Sequence, residues 1–284
     1  MKPVHTVSQL AGSLLSGARR RVLPVTLSLA LAGGSLGVTS LFLADAAMAA
    51  DPLAAPVTVG SGNPLIFAEI NQIGSGRCAK DRCANVHVRT ADFAQHPAFT
   101  QFLTRSLLSM ASVDAKSVPA SNVSELMAKF EKTATPETSE YLQANVLRNQ
   151  SDLVVVDLVH YIFSGGAHGD TTSQYVNWLP KTNQVASLET MLLPGSMARF
   201  DQILREQHQI WLREQSNSID DVKSFEQTWP FKPSDNAALM PAGLTVTYDR
   251  YVIGPGSFGQ PSLVIPYSKL TSVLKPEFLK AATH

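Results

Sequence analysis

Cysteine is almost absent from this 284-residue chain, with Cys78 and Cys83 the only two, so neither a disulfide-dense scaffold nor a multi-cysteine zinc site is available to it. Charge is equally thin and balanced, 23 Lys and Arg against 23 Asp and Glu, which leaves no field to steer nucleic acid or an anionic membrane. No internal repeat, charge block or low-complexity tract stands beyond residue 49, and composition excludes collagen, coiled coil and wholesale disorder. No G-x-S-x-G elbow occurs anywhere, so a serine hydrolase of the usual α/β type is not expected. Neither a cofactor nor a metal is expected.

What the chain does have begins at its N-terminus. Residues 1–21 are polar and end in Arg19, Arg20 and Arg21; Val22 to Ala44 then runs 23 residues without a charge, and Ala47-Met48-Ala49 has the small-residue pattern of a cleavage site. That layout predicts a secretory signal over 1–49 and a periplasmic protein. The apolar run is long enough to span a bilayer, so an uncleaved inner-membrane anchor is the alternative, and contact with membrane is expected only in that case. Cleavage after Ala49 removes Lys2, the three arginines and Asp45 and leaves 235 residues with a net charge of −3. In an oxidising compartment Cys78 and Cys83 pair by default, and closing so short a ring contributes about 2 kcal/mol.

Residues 50–62, rich in Ala, Pro, Val and Gly, read as a flexible tether. A strand over Leu65 to Ile73, the cysteine loop, and the alternating Ala84, Val86, Val88 and Thr90 predict a hairpin. Two amphipathic helices follow, one after Pro97 with Phe99, Leu103 and Leu107 on one face, the other after Ser121-Asn122 with Val123, Leu126 and Phe130. From Tyr141 the period returns to strands: Tyr141 to Leu147, Leu153 to Phe163, Thr171 to Leu179 and Val185 to Leu188. A long helix over about 196–215 carries Met197, Phe200, Leu204, Trp211 and Leu212 as its stripe, with His208 beside it. Residues 217–232 read as irregular, strands are expected over Gly243 to Tyr248 and Ser262 to Pro266, and a closing helix near Tyr267. This alternation, with no strict β-α-β order, predicts an α+β fold of two small mixed or antiparallel sheets, each packed with helices. A division into a small N-terminal domain, 63–135, and a C-terminal domain, 136–284, is expected.

Two loops stand out as candidates for function. Ser164-Gly165-Gly166-Ala167-His168-Gly169-Asp170 ends the most apolar strand. As catalysis it would use backbone amides as an oxyanion hole and His168 as base. It lacks a nucleophile, and the plainer reading has glycines at positive φ and His168 bonded to a backbone carbonyl. Gly254-Pro255-Gly256-Ser257-Phe258-Gly259 satisfies the dinucleotide fingerprint literally, but a strand rather than a helix follows it, so a packing or protein-contact tip presenting Phe258 is expected instead. A metal held by His160, His168 and Asp170 would need all three to converge. A glycan hydrolase or modifying enzyme would need paired carboxylates, for which Asp157, Asp170 and Glu189 are the scattered candidates.

These loops, with their flanks, resemble the extracytoplasmic module of the RsiV family, which includes lysozyme-responsive anti-sigma factors and the non-catalytic part of PdaC-type peptidoglycan deacetylases. The matching stretches are Tyr161 to Asp170, Tyr175 to Leu179, Leu188 to Leu193, Gly243 to Val246, and Tyr251 through Leu270, together spanning roughly 140–280; 63–135 resembles the small domain that precedes the module. No segment resembles the anti-sigma or the deacetylase part. The resemblance implies an α+β fold and an exported, non-enzymatic protein-binding module, with lysozyme or another cell-wall-acting protein as partner. It points to Ser164, Gly165, Gly166, His168, Asp170, Pro255, Ser257 and Phe258 as the binding edge. Where the family has alanine-proline-tyrosine this chain has Gly254-Pro255-Gly256, and Phe258 is the candidate substitute for the missing aromatic anchor. The alternatives are a cell-wall glycan hydrolase or modifying enzyme and a peptidoglycan-binding envelope protein.

Overall fold

The computed structural model describes residues 64–111, 119–215 and 221–283. The expected leader, cleavage site and tether lie outside them. Among the described residues no helix is long and apolar enough to cross a membrane.

The chain opens with an antiparallel hairpin, β1 (Ala68–Ala79) and β2 (Arg82–Asp92), turned at Lys80, whose φ is 53°. Cys78 and Cys83 face each other at its tip and form the expected disulfide. Helix α1 (Pro97–Met110) starts on the proline, which has no amide to leave unpaired there. Helix α2 (Val123–Thr133) starts on a reciprocal cap: the Asn122 side chain accepts from the Glu125 amide at 2.9 Å, and the Glu125 carboxylate accepts from the Ser121 amide at 2.8 Å.

Strands β3 (Ser139–Asn149), β4 (Val154–Phe163), β5 (Asp170–Leu179) and β6 (Gln184–Ala186) complete a six-stranded sheet in the order β1-β2-β3-β4-β5-β6. Every pairing is antiparallel except β2 with β3, which is parallel and needs the long α1–α2 connection. The expected division at 135/136 falls in the link from α2 to β3, and the sheet runs across it. After β6 come α3 (Leu188–Met191), α4 (Met197–Glu214), α5 (Val222–Thr228), a three-stranded antiparallel sheet of β7 (Ala237–Met240), β8 (Gly243–Thr247) and β9 (Ser262–Ile265), and α6 (Pro276–Thr283). The α+β prediction of two sheets packed with helices describes this architecture.

The core has two halves, one on each face of the large sheet. Val154, Val156 and Leu158 join α1 and α2 on one face; Leu153 and Val155, one residue out of phase, join α4 and the small sheet on the other. This double burial is why β4 reads as a continuous apolar run rather than an alternation. The two sheets are fastened by side chains acting as backbone. The Asn177 side chain donates to the Ala237 carbonyl at 2.7 Å and accepts from the Leu239 amide at 2.8 Å. Asn236 does the same for β5, donating to Ser173 O and accepting from Tyr175 N. Arg148, wholly buried at the end of β3, donates to the Ala281 and Ala282 carbonyls at 2.7 and 2.9 Å and so closes the C-terminal end of α6.

Several local expectations differ from the structure. Residues 222–228, expected to be irregular, form α5, begun by Asp221, which accepts from Lys223 N and Ser224 Oγ; seven residues are too few to show a period. β7 is four residues long and equally silent in sequence. The closing helix starts at Pro276, and Tyr267–Lys269 makes only a single 3-10 turn. β6 stops at Ala186 because Ser187 caps α3 through the Thr190 amide. On α4, Met197 is exposed rather than part of the stripe. His208 is instead fully buried against Trp211 and Phe231, and desolvation lowers its pKa.

Candidate functional site

The two glycine loops meet. Residues 164–169 join β4 to β5, and residues 248–261 join β8 to β9, its base closed by a hydrogen bond from Tyr248 N to Pro261 O at 2.9 Å. The Arg250 guanidinium lies between them: Nη1 donates to Gly169 O at 2.9 Å and Nη2 to Gly256 O at 3.0 Å. One planar fork thus holds two loops 87 residues apart in the chain (169 to 256) in a single arrangement. Next to it, Asp249 accepts from the Ser173 amide and from Gln260, fixing the second loop to β5, and its burial raises its pKa.

Tyr251 is the large aromatic that this edge presents to solvent, 47% exposed, beneath the Arg250 guanidinium and 6.4 Å from the Trp229 ring. Its φ of 66° is left-handed, a conformation that costs a non-glycine residue about 1 kcal/mol or more and persists only where surroundings impose it. Its hydroxyl bonds His168 Nε2 at 3.3 Å, while His168 Nδ1 bonds Gly169 O at 3.1 Å. A carbonyl can only accept, so His168 Nδ1 donates to it. The glycines make this packing possible. A Cβ on Gly256 would overlap the Tyr251 ring, and one on Gly169 would overlap Tyr161. Gly165 and Gly166 have φ of 100° and 101°.

Of the residues picked from sequence, Ser164, Gly165, Gly166, His168, Asp170 and Ser257 are exposed along this edge and Pro255 is half-buried. The expectation for Phe258 as an outward anchor is corrected. Its ring turns inward, 5.8 Å from Trp211 and 5.9 Å from Phe225, where an apolar face is worth more buried than displayed. Sequence reasoning missed Arg250 and Tyr251 as site residues; the signal was the charged and aromatic pair just before the glycine-proline tip. In the glycine-rich run itself, Gly256–Phe258 forms one 3-10 turn and β9 follows, so no helix N-terminus faces it.

The other candidate constellations do not converge. His160 Nε2 lies 2.8 Å from Glu140 Oε1, both buried, whereas His168 stands in the exposed loop and Asp170 accepts from Thr171 N; among the described residues no group of three or more His, Cys, Asp or Glu could hold a metal. Asp170 pairs with Ile162 and Asp157 with Tyr175, five residues apart along β4, or about 17 Å. Two carboxylates acting on one glycosidic bond stand within about 10 Å. Glu189 is on α3, outside the sheet. A separate groove of about 670 Å³ between β6 and α6, lined by Lys181, Val185, Lys275 and Phe278 among others, contains none of the residues picked from sequence.

Residues 189–268 match the family described as a protein of unknown function, DUF3298. No curated protein matches the chain. Among solved structures, a member of the DUF3298 family from Bacteroides fragilis NCTC 9343 has the same fold at 15% identity, with a TM-score of 0.60 over 77% of this chain and 97% of that one. A DUF3298 family protein from Pseudomonas aeruginosa PAO1 is similar at 31% identity, with a TM-score of 0.70 over 77% of this chain and 98% of that one. With that identity sustained over nearly the whole of the Pseudomonas protein, the chain belongs to the DUF3298 family.

Proposed function

We propose that this DUF3298 protein is an exported, non-enzymatic binding module that recognises a lysozyme-like or other cell-wall-acting protein through the edge made by residues 164–170 and 250–257. The observation that carries this reading is the Arg250 fork. A preformed edge loses little conformational freedom on binding, and freedom lost is a main cost of association. Tyr251, rigidly held and half-exposed, is the anchor in place of the inward-turned Phe258, and His168 sets its hydroxyl. The resemblance of both loops to the RsiV module supports the choice of partner. Where that family has alanine-proline-tyrosine, Gly256 removes the side chain and Tyr251 brings an aromatic to the same loop. Export follows the N-terminal signal pattern, with an uncleaved inner-membrane anchor as the other form.

Calorimetric titration of the purified protein with a C-type lysozyme, with lysozyme activity assayed in parallel, tests the reading. Micromolar or tighter binding with loss of activity is the expected result. Tyr251→Ala should then weaken binding by about 2 kcal/mol, the size of an interface anchor. A change within about 0.5 kcal/mol for both Tyr251→Ala and His168→Ala would place the interface elsewhere. Absence of lysozyme binding would redirect the search to the cell's own wall enzymes.

A further inference from the structure

His208 is fully buried on α4, and both Nδ1 and Nε2 are without a hydrogen-bond partner among the described residues. Its ring stacks on Trp211 at 5.6 Å and meets the Phe231 ring at 5.5 Å. A neutral imidazole is tolerated in such a place, whereas the cation would find no acceptor. Two charged groups act on it. Glu226, on α5, favours the cation, and Arg205, three residues earlier on α4, opposes it. β9, which also packs on α4, carries no titratable side chain, and Lys232 and Asp235, just beyond Phe231, are exposed. Burial keeps the Tyr248 phenol, which donates to Lys232 O, neutral.

The cover over this histidine is thin. α5 has seven residues, fewer than an isolated helix needs in water, and none of them is fully buried. It is held by the bond from Gln209 Nε2 to Glu226 Oε1 and by the half-buried Val222 and Phe225, while the Arg205 guanidinium lies 4.3 Å over the Phe231 ring. The same cover supports the candidate edge: Phe225 stacks on Phe258 at 5.9 Å, and Trp229 lies 6.4 Å from Tyr251. We propose that residues 222–231 are an acid-released strap: protonation of His208 favours a form in which the strap has lifted from α4, and lifting it withdraws support from Phe258 and Tyr251. In the lifted form the imidazole reaches water and holds its proton at the ordinary 6.5, whereas burial lowers that value in the closed form. The closed form is therefore fully favoured above about 6.5 and loses ground as pH falls below it, by up to tenfold in the closed-to-lifted ratio per pH unit, until the closed form itself takes up the proton. Lifting exposes far less apolar surface than global unfolding, so it is the nearer way to relieve the buried charge. The consequence for binding rests on the function proposed above; the lifting itself does not.

The test is hydrogen exchange on the free protein at pH 7.5 and 5.5, corrected for the intrinsic pH dependence of exchange. The opening constant of the α5 amides should rise by about tenfold between the two, with residues 251–258 rising alongside. The β4 amides should stay far better protected at both, which separates lifting from global unfolding. The His208 ring, followed by NMR, should titrate together with the α5 exchange. His208→Leu and His208→Phe keep an apolar group in place and take no proton, so either one should remove the rise; circular dichroism matched to the parent identifies which remains folded. An α5 opening constant equal at both pH values, the result if Glu226 pairs with the imidazolium under a closed strap, overturns the proposal. So does a rise that persists in a folded His208 variant, and a rise confined to α5 breaks the link to the edge. Lysozyme titration is scored separately: failure to bind removes the reading of the edge and leaves the exchange result standing.

Discussion

Asp157 stands on β4 facing the small sheet, across from Asn145 and Tyr175, with Oδ1 buried and no hydrogen-bond partner among the described residues. Burial pushes its carboxyl up to about 7 from an ordinary 3.8. The folded protein therefore holds a proton that the unfolded chain has released over that whole interval, and stability falls as pH rises from about 4 to 7. Asp157→Asn should stabilise the protein by about 2 kcal/mol at pH 7.5, the amide's own burial cost offsetting part of the pKa effect, and make no difference near pH 3.5. Urea unfolding at the two pH values measures it. An equal effect at both would mean that the gain does not come from the proton. Tyr175, on the opposite strand, bonds Thr247 Oγ1 at 3.1 Å, and burial raises its pKa. None of this is visible in sequence. An aspartate between Val156 and Leu158 reads only as an interruption, and its environment is set by β7 to β9, more than 70 residues later.

Helix α6 has only eight residues, fewer than an isolated helix needs in water, and it is held by what it touches. Phe278, Ala281 and Ala282 pack into the core shared with α4 and the small sheet, and the Arg148 guanidinium meets the last carbonyls of the helix. Burial lowers the pKa of that arginine, yet its bonds to two helix carbonyls and to Gln150 Oε1 give the cation a use. Arg148→Met, which keeps bulk and removes the donors, should destabilise the protein by about 3 kcal/mol, because several buried acceptors lose their partner at once. Hydrogen exchange should report the loss first in α6. If thermal stability is unchanged, the helix is held by its apolar face alone. The sequence reading expected a closing helix near Tyr267, whereas the helix begins at Pro276. Only the arginine's reach across the fold distinguishes the 3-10 turn there from the helix that follows.

The two core halves share the strands between them. Val154 and Val156 belong to one half and Leu153 and Val155 to the other, so neither half can open without stripping a face of β4 that the other needs. Heat should unfold residues 64–283 in one transition with equal calorimetric and van't Hoff enthalpies. Phe99→Ala on one side and Phe200→Ala on the other should each lower that same transition, at a cost of about 3 to 4 kcal/mol. Two resolved transitions, with each mutation moving only one, would show that the segments before and after residue 135 fold independently.

The local period was enough to place the long strands, the first two helices and α4, because burial on one face writes itself into spacing. Two cysteines alone in a chain expected to be exported to an oxidising compartment pointed to the disulfide, and the glycine clusters were enough to mark both loops of the candidate edge. Long-range pairing decided the rest. That β2 joins β3 in parallel, that Asn177 and Asn236 stand in for a ladder between two sheets, and that Arg250 ties Gly169 to Gly256 all depend on which segments meet. Phe258 and Tyr251 show the physical reason most plainly. Seven residues apart on one loop and both aromatic, they differ only in that the fold puts Trp211 and Phe225 beneath one and His168 with solvent beside the other.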